Sequence, residues 1–199
     1  MSSASSKPIG FKEWQVVCDA LADGRQSILL RKGGIAEGRE GFQFKHPEFY
    51  LFPTLFHEQA ARIRPEFVGD WQAPPEGADK ERDTITVELL ARIDFHKILT
   101  DWAQVLRLEP FHIWTEDELR QRFEWSKNAE DAPGISLACI RVYRLAAPWS
   151  FSNERGFGGC RSWIELPERA GLLEMAPVLD DTAFEAVKAE LGKEGPWRV

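Results

Sequence analysis

The chain has 199 residues, 43% hydrophobic and 29% charged, with a formal net charge of −7 and a pI near 5.2. That length supports one full hydrophobic core. An acidic body of ordinary composition argues against general nucleic-acid coating and against membrane-surface binding. No apolar run reaches transmembrane length.

The charge is uneven. Residues 1–50 carry seven Lys/Arg and six Asp/Glu, the next hundred 12 and 17, the last 49 six and nine. The N-terminal part is therefore the least repulsive to an anion. Three cysteines, Cys18, Cys139 and Cys160, make no paired framework and no CxxC. Reduced thiols of a cytoplasmic protein are the expectation. Residues 1–10, MSSASSKPIG, lack an apolar signal region and read as a disordered tail ahead of a single domain over 11–199. Eight tryptophans point to an aromatic core or an aromatic-lined pocket.

In chain order, residues 11–14 read as a lead-in and 14–21 as a strand, from Val16, Val17, Ala20 and Leu21. Ala22 to Arg25 reads as a turn and 26–30 as a second strand, giving a hairpin. A glycine-rich loop follows, from Arg31 to Gly41. Phe42–Phe44 and Phe49–Phe52 read as extended, with Pro53 ending the strand. Thr54 then caps a predicted helix over 55–64. Residues 65–83 form a long polar loop. The alternation of Ile85, Val87, Leu89, Ala91, Ile93 and Phe95 predicts a strand over 84–98, with Leu90 out of step. A brief helix is expected at 102–106. Thr115 and Glu118 form a capping-box pattern opening a helix to about Trp125, with Leu119, Phe123 and Arg122 inward. Residues 135–146 and 160–166 read as strands. Thr182 and Glu185 open a last helix that Gly192 ends. The expected fold is α+β: one domain, a mixed and largely antiparallel sheet, and three to four helices.

The runs FKEW at 11–14, LLRKGGI at 29–35, FPT…HEQ at 52–59, HIWTEDELRQRFEW at 112–125 and GCRSWIELP at 159–167 resemble a bacterial family, domain of unknown function 1802. The resemblance spans nearly the whole chain and implies a single-domain bacterial protein without an assigned reaction. At the level of shape, the early hairpin, Phe52-Pro53 before a helix, and the late SWIEL strand are similar to Nudix hydrolases. That family holds magnesium on paired helical acids. Residues 55–64, LFHEQAARIR, offer only Glu58, whereas magnesium needs several oxygen ligands, so diphosphatase chemistry is not expected.

The leading candidate site is Arg31-Lys32-Gly33-Gly34. Glycines let successive N–H groups turn toward one point, and two cations add charge for a small phosphorylated or nucleotide-like ligand. The plain alternative is a solvated hairpin end, since the spacing matches no P-loop. Trp114 and Arg122 are candidates for stacking a base, against simple core packing. His46, His57 and Glu58 are candidates for zinc or magnesium, or for acid–base chemistry. Neighbouring helical positions diverge by about 100°, so His46 would have to bring the second ligand. His96 beside Asp94 could be a base and its orienter, or solvent-facing. Cys160 after Gly158-Gly159 and before Arg161 is a candidate nucleophile, or a structural thiol. Three readings follow: a regulatory domain binding a phosphorylated ligand, a metal-dependent phosphoester hydrolase or nuclease, and an interaction module. Asp94…Lys97 and Asp19…Lys32 lack the spacing of a PD-(D/E)XK nuclease.

Overall fold

The computed structural model describes residues 7–31, 42–69, 71–125, 133–169 and 173–193. They form one α+β domain: a seven-stranded sheet with five α-helices. The strands are β1 (Ile9–Trp14), β2 (Ile28–Arg31), β3 (Glu48–Thr54), β4 (Thr84–Leu99), β5 (Ile135–Ser152), β6 (Trp163–Glu165) and β7 (Met175–Pro177). The sheet order is β2-β5-β4-β3-β1-β6, and β7 pairs with β5. Among the described residues only β1 and β3 run parallel; the other strand pairings are antiparallel.

The N-terminal hairpin predicted from the sequence is replaced by a strand and a helix. β1 begins at Ile9, inside the segment expected to be a tail, and α1 covers Gln15–Ala22. Val16, Val17, Ala20 and Leu21 are all buried. Their spacing fits one face of a helix, and burial of that face outweighs the β-preference of two valines. The Ala22–Arg25 turn is this helix's C-terminal stop. Arg25 N–H donates to Ala20 O at 2.9 Å and Gly24 N–H to Leu21 O at 3.3 Å, with Gly24 at φ +70°. This is the paired-bond arrangement that closes a helix on a left-handed glycine. β2 consequently pairs with β5, not with its own predecessor.

Two further departures concern residues 53–64. β3 runs through Pro53 to Thr54, and Pro53 faces Glu13 in the parallel ladder with β1. The helix expected over 55–64 is only a 3-10 turn, Gln59–Arg62, so the shape-level Nudix likeness finds no support in this segment. The helix at α3 (Trp102–Leu106) and the strands β4 and β5 stand where expected, β5 extending six residues further. α2 (Ala78–Glu81) is a single turn within the long polar loop.

β4 and β5 are long ribbons whose register shifts at Val87/Leu89 and Ile93/Phe95. The first shift turns the strand's faces over. Ile85, Val87 and Leu90 belong to one apolar cluster, with Phe52, Trp149 and Leu166; Leu89 and Ala91 belong to the other, with Phe11, Val17 and Leu137. The larger cluster sits under α1 and α4 (Glu116–Glu124) and also receives Phe184 and Leu191 of α5 (Asp181–Lys193).

The sheet curls so that its two edges meet. Arg31, at the end of β2, donates from Nη2 to Ser162 Oγ just ahead of β6, at 2.8 Å. Phe42 and Phe44 fill the seam. The Phe42 ring stacks on Trp163 at 6.2 Å and 11°, while its carbonyl accepts from Ser136 Oγ of β5. Trp163 Nε1–H donates to Gln43 O at 3.1 Å. Among the described residues no helix is long and apolar enough to cross a membrane.

Candidate functional site

The seam collects charge. Phe11 and Glu13 lie two apart on β1 and so share a face. Glu13 is 1% exposed, and its Oε1 accepts the Trp14 N–H at 2.9 Å. Arg31 reaches over from β2. Its guanidinium carbon sits 5.1 Å from the Phe11 ring centre and 5.9 Å from Phe42, and its Nη1 is 3.7 Å from Glu13 Oε1. Its side chain is 19% exposed.

A second arginine stands behind it. Thr115 caps α4 by accepting the Glu118 N–H at 3.3 Å. The glutamate does not reach back to complete the capping box; the Thr115 N–H donates instead to Arg62 O. Glu118 serves arginines: Oε1 accepts Arg122 Nε at 2.7 Å and Oε2 accepts Arg62 Nη1 at 2.9 Å. Arg62 Nη2 continues to Glu58 at 2.7 Å. Arg122 also donates from Nη1 to Leu30 O at 3.0 Å, capping a carbonyl beside Arg31, and lies 3.9 Å from the Trp114 ring centre and 5.2 Å from Trp14. Burial lowers the Arg122 pKa, while Glu118 and Glu13 act to raise it. The Glu58 bond, followed by that of Glu118, raises the pKa of Arg62.

This geometry corrects the stacking expectation for Trp114 and Arg122. Trp114 is 1% exposed, and Arg122 sits over its ring, so no open aromatic face is left there for a base. The two are brought together, but for each other. Lys32, Gly33 and Gly34 lie outside the described residues.

The metal candidates are not assembled. His46 lies 4.9 Å from Trp163, near the start of β1, and His57 5.1 Å from Phe56, which packs on Trp14 at its end. The Glu58 carboxylate is engaged by Arg62, with His57 Nε2 3.7 Å away. Among the described residues no three His, Cys, Asp or Glu side chains converge on a point that would hold a metal ion. His96 is exposed beside Phe44, while Asp94 accepts Lys188 Nζ of α5 at 3.1 Å and so does not orient a base. Cys160 is a free, exposed thiol, whereas Cys18 and Cys139 are buried.

Glu13, Ser162, Glu118 and Arg62 are the members of the seam that sequence reasoning missed. Glu13 carried one signal, an acid in step with Phe11 on a short run. Ser162 carried none, since it meets Arg31 across 131 residues of chain.

Residues 10–190 match the family described as Domain of unknown function (DUF1802), and the chain belongs to that family. Among solved structures it is similar to ASCH from Zymomonas mobilis, at a TM-score of 0.46 and 11% identity over 81% of this chain and 89% of that one. Two point mutants of the same protein give TM-scores of 0.45 and 0.42. No curated protein matches the chain.

Proposed function

We propose that the seam beside Arg31 binds an oxyanion of a small phosphorylated or nucleotide-like ligand. The single observation that carries this is the incomplete coordination of Arg31. A guanidinium has five N–H donors and keeps its charge at all working pH values. Arg31 is four-fifths buried, yet among the described residues it makes one hydrogen bond, to a neutral hydroxyl. Among the described residues its nearest carboxylate oxygen is at 3.7 Å, beyond hydrogen-bond range. Arg122, a few residues away in space, is by contrast bonded to a carboxylate and to a carbonyl. A buried cation left short of acceptors favours an incoming phosphate, which a guanidinium engages through two parallel bonds.

Ligand-induced thermal shifts against a panel of nucleotides and phosphate esters, with and without Mg²⁺, Mn²⁺ or Zn²⁺, test the reading. Stabilisation without metal is expected. Arg31→Ala should abolish the ligand-induced shift, and Arg31→Lys should retain part of it. Circular dichroism would confirm that both variants are folded. An undiminished shift in Arg31→Ala removes the seam as the binding site.

A further inference from the structure

On the opposite face of β1, Lys12 points away from Phe11 and Glu13 toward the loop that precedes β6. Its Nζ donates to Gly159 O at 3.1 Å, and Arg161 Nη2 donates to Gly156 O at 2.7 Å. Lys12, Arg155 and Arg161 make no ion pair among the described residues. Asp79, the acid whose field reaches Lys12, is already ion-paired with Arg82 at 3.1 Å and accepts the Leu55 N–H at 2.9 Å. Lys12 and Arg161, close enough for the arginine's charge to act on the lysine, thus stand without a bonded counter-charge, on a chain that is acidic overall.

The backbone adds donors. The N–H groups of Phe157 and Gly158 close the short turn onto Glu154 O and Arg155 O. Those of Gly159, Cys160 and Arg161 have no acceptor in the described protein. Gly159 is held at φ +81°, and a Cβ built on Gly156 or on Gly159 would meet nothing within 4 Å, so space is open beside these amides. Consecutive free amides next to cations are the recurring composition of an oxyanion cradle.

We propose that the loop Gly156–Arg161, together with Lys12, is a second oxyanion-binding site, suited to a phosphate or sulfate group. Arg161 and Lys12 supply the charge, and the unpaired amides of Gly159 to Arg161 supply N–H donors. Burial, chiefly, with a contribution from Arg161, lowers the Lys12 pKa, and the charge of a bound anion would act in the opposite direction. The site stands apart from the reading of Arg31, although Ser162 adjoins both, its hydroxyl accepting from Arg31 and its carbonyl from the Lys12 N–H.

Inorganic phosphate, followed by amide NMR at constant ionic strength, tests it. Saturable shifts at Gly159, Cys160 and Arg161 are expected, and sodium sulfate should compete. Arg161→Ala, at an exposed position, should weaken binding about tenfold, the loss expected for one charged hydrogen bond. Arg31→Ala should leave the shifts in place, which separates this site from the seam. As a second readout, phosphate should slow alkylation of Cys160 more than chloride does. Shifts that stay linear with phosphate, or that persist unchanged in a Lys12→Gln/Arg161→Ala double variant, overturn the proposal.

Discussion

The guanidinium carbon of Arg122 sits 3.9 Å from the centre of the Trp114 ring, and the same side chain bonds Glu118 at 2.7 Å and the Leu30 carbonyl at 3.0 Å. One residue of α4 thereby ties an indole, a buried acid and an edge strand together. Removing one partner of such a buried pair typically costs about 3 kcal/mol or more. Arg122→Leu should lower stability by roughly that amount in urea titration, a fall of about 6–12 °C in Tm for a chain of this size. Arg122→Lys keeps the charge but loses the planar fork and the stack, so its loss should be smaller yet clearly measurable. Equal stability of all three proteins would show that the stack contributes nothing.

His112 supplies a pH dependence of defined sign. It is 3% exposed, its Nδ1 accepts the Trp114 N–H at 3.2 Å, and burial, reinforced by Arg64 and Arg122, pushes its pKa down to about 3. The unfolded chain takes up the proton near pH 6.5 and the folded chain does not. The stabilisation is therefore complete above about pH 6.5 and is lost as pH falls from there toward 3. At pH 5 this one group should account for about 2 kcal/mol of lost stability. Denaturant titrations at pH 7 and pH 5 check it: His112→Gln should show a correspondingly smaller difference between the two pH values.

The three thiols should separate cleanly. Cys18 and Cys139 are buried, and burial raises both pKa values, that of Cys139 to about 12. The thiolate is the reactive form, so both should be inert in the folded state. Cys160 is exposed. A neutral alkylating reagent should label one thiol per native chain and three after denaturation, and Cys160→Ser should reduce the native value to none.

Two glycines should respond to alanine in opposite directions. Gly24 closes α1 at φ +70°, and an added Cβ would meet Leu179 Cδ2 at 2.7 Å. The left-handed strain costs about 1–2 kcal/mol even if Leu179 yields, so Gly24→Ala should destabilise by at least that much. Gly192 lies inside α5, where an added methyl would meet nothing within 4 Å. There alanine restores helix propensity and should stabilise by about 0.5–1 kcal/mol. Thermal melts of the two variants give the comparison directly.

The long strands were legible because their periodicity is local. β4 and β5 announced themselves by alternation, and even the misfit of Leu90 had a cause, the register shift after Val87 that turns the strand over. The Thr115 cap was legible for the same reason: Thr115 and Glu118 are three residues apart. The opening stretch was not, because Val16, Val17, Ala20 and Leu21 satisfy a helical face while two of them favour a strand, and tertiary burial decides. The sheet order was hidden altogether, since β1 finds its neighbours in β3 and β6 through contacts far apart in sequence. For the candidate site, Arg31 was visible as a cation after an apolar run. The hydroxyl it reaches and the acid beside it were not, because their meeting depends on how the sheet curls.

β1 has a consequence for how the chain assembles. It occupies an interior lane of the sheet, yet one of its two neighbours, β6, is made some 150 residues after it: Phe11 must wait for Trp163. The β4–β5 ribbon, closer in sequence and far longer, can form earlier. Pairings between such distant segments slow the search for the native state. On the ribosome β1 would therefore be made early yet be among the last strands to be fully flanked, leaving Phe11 in need of shelter until the β6 segment emerges.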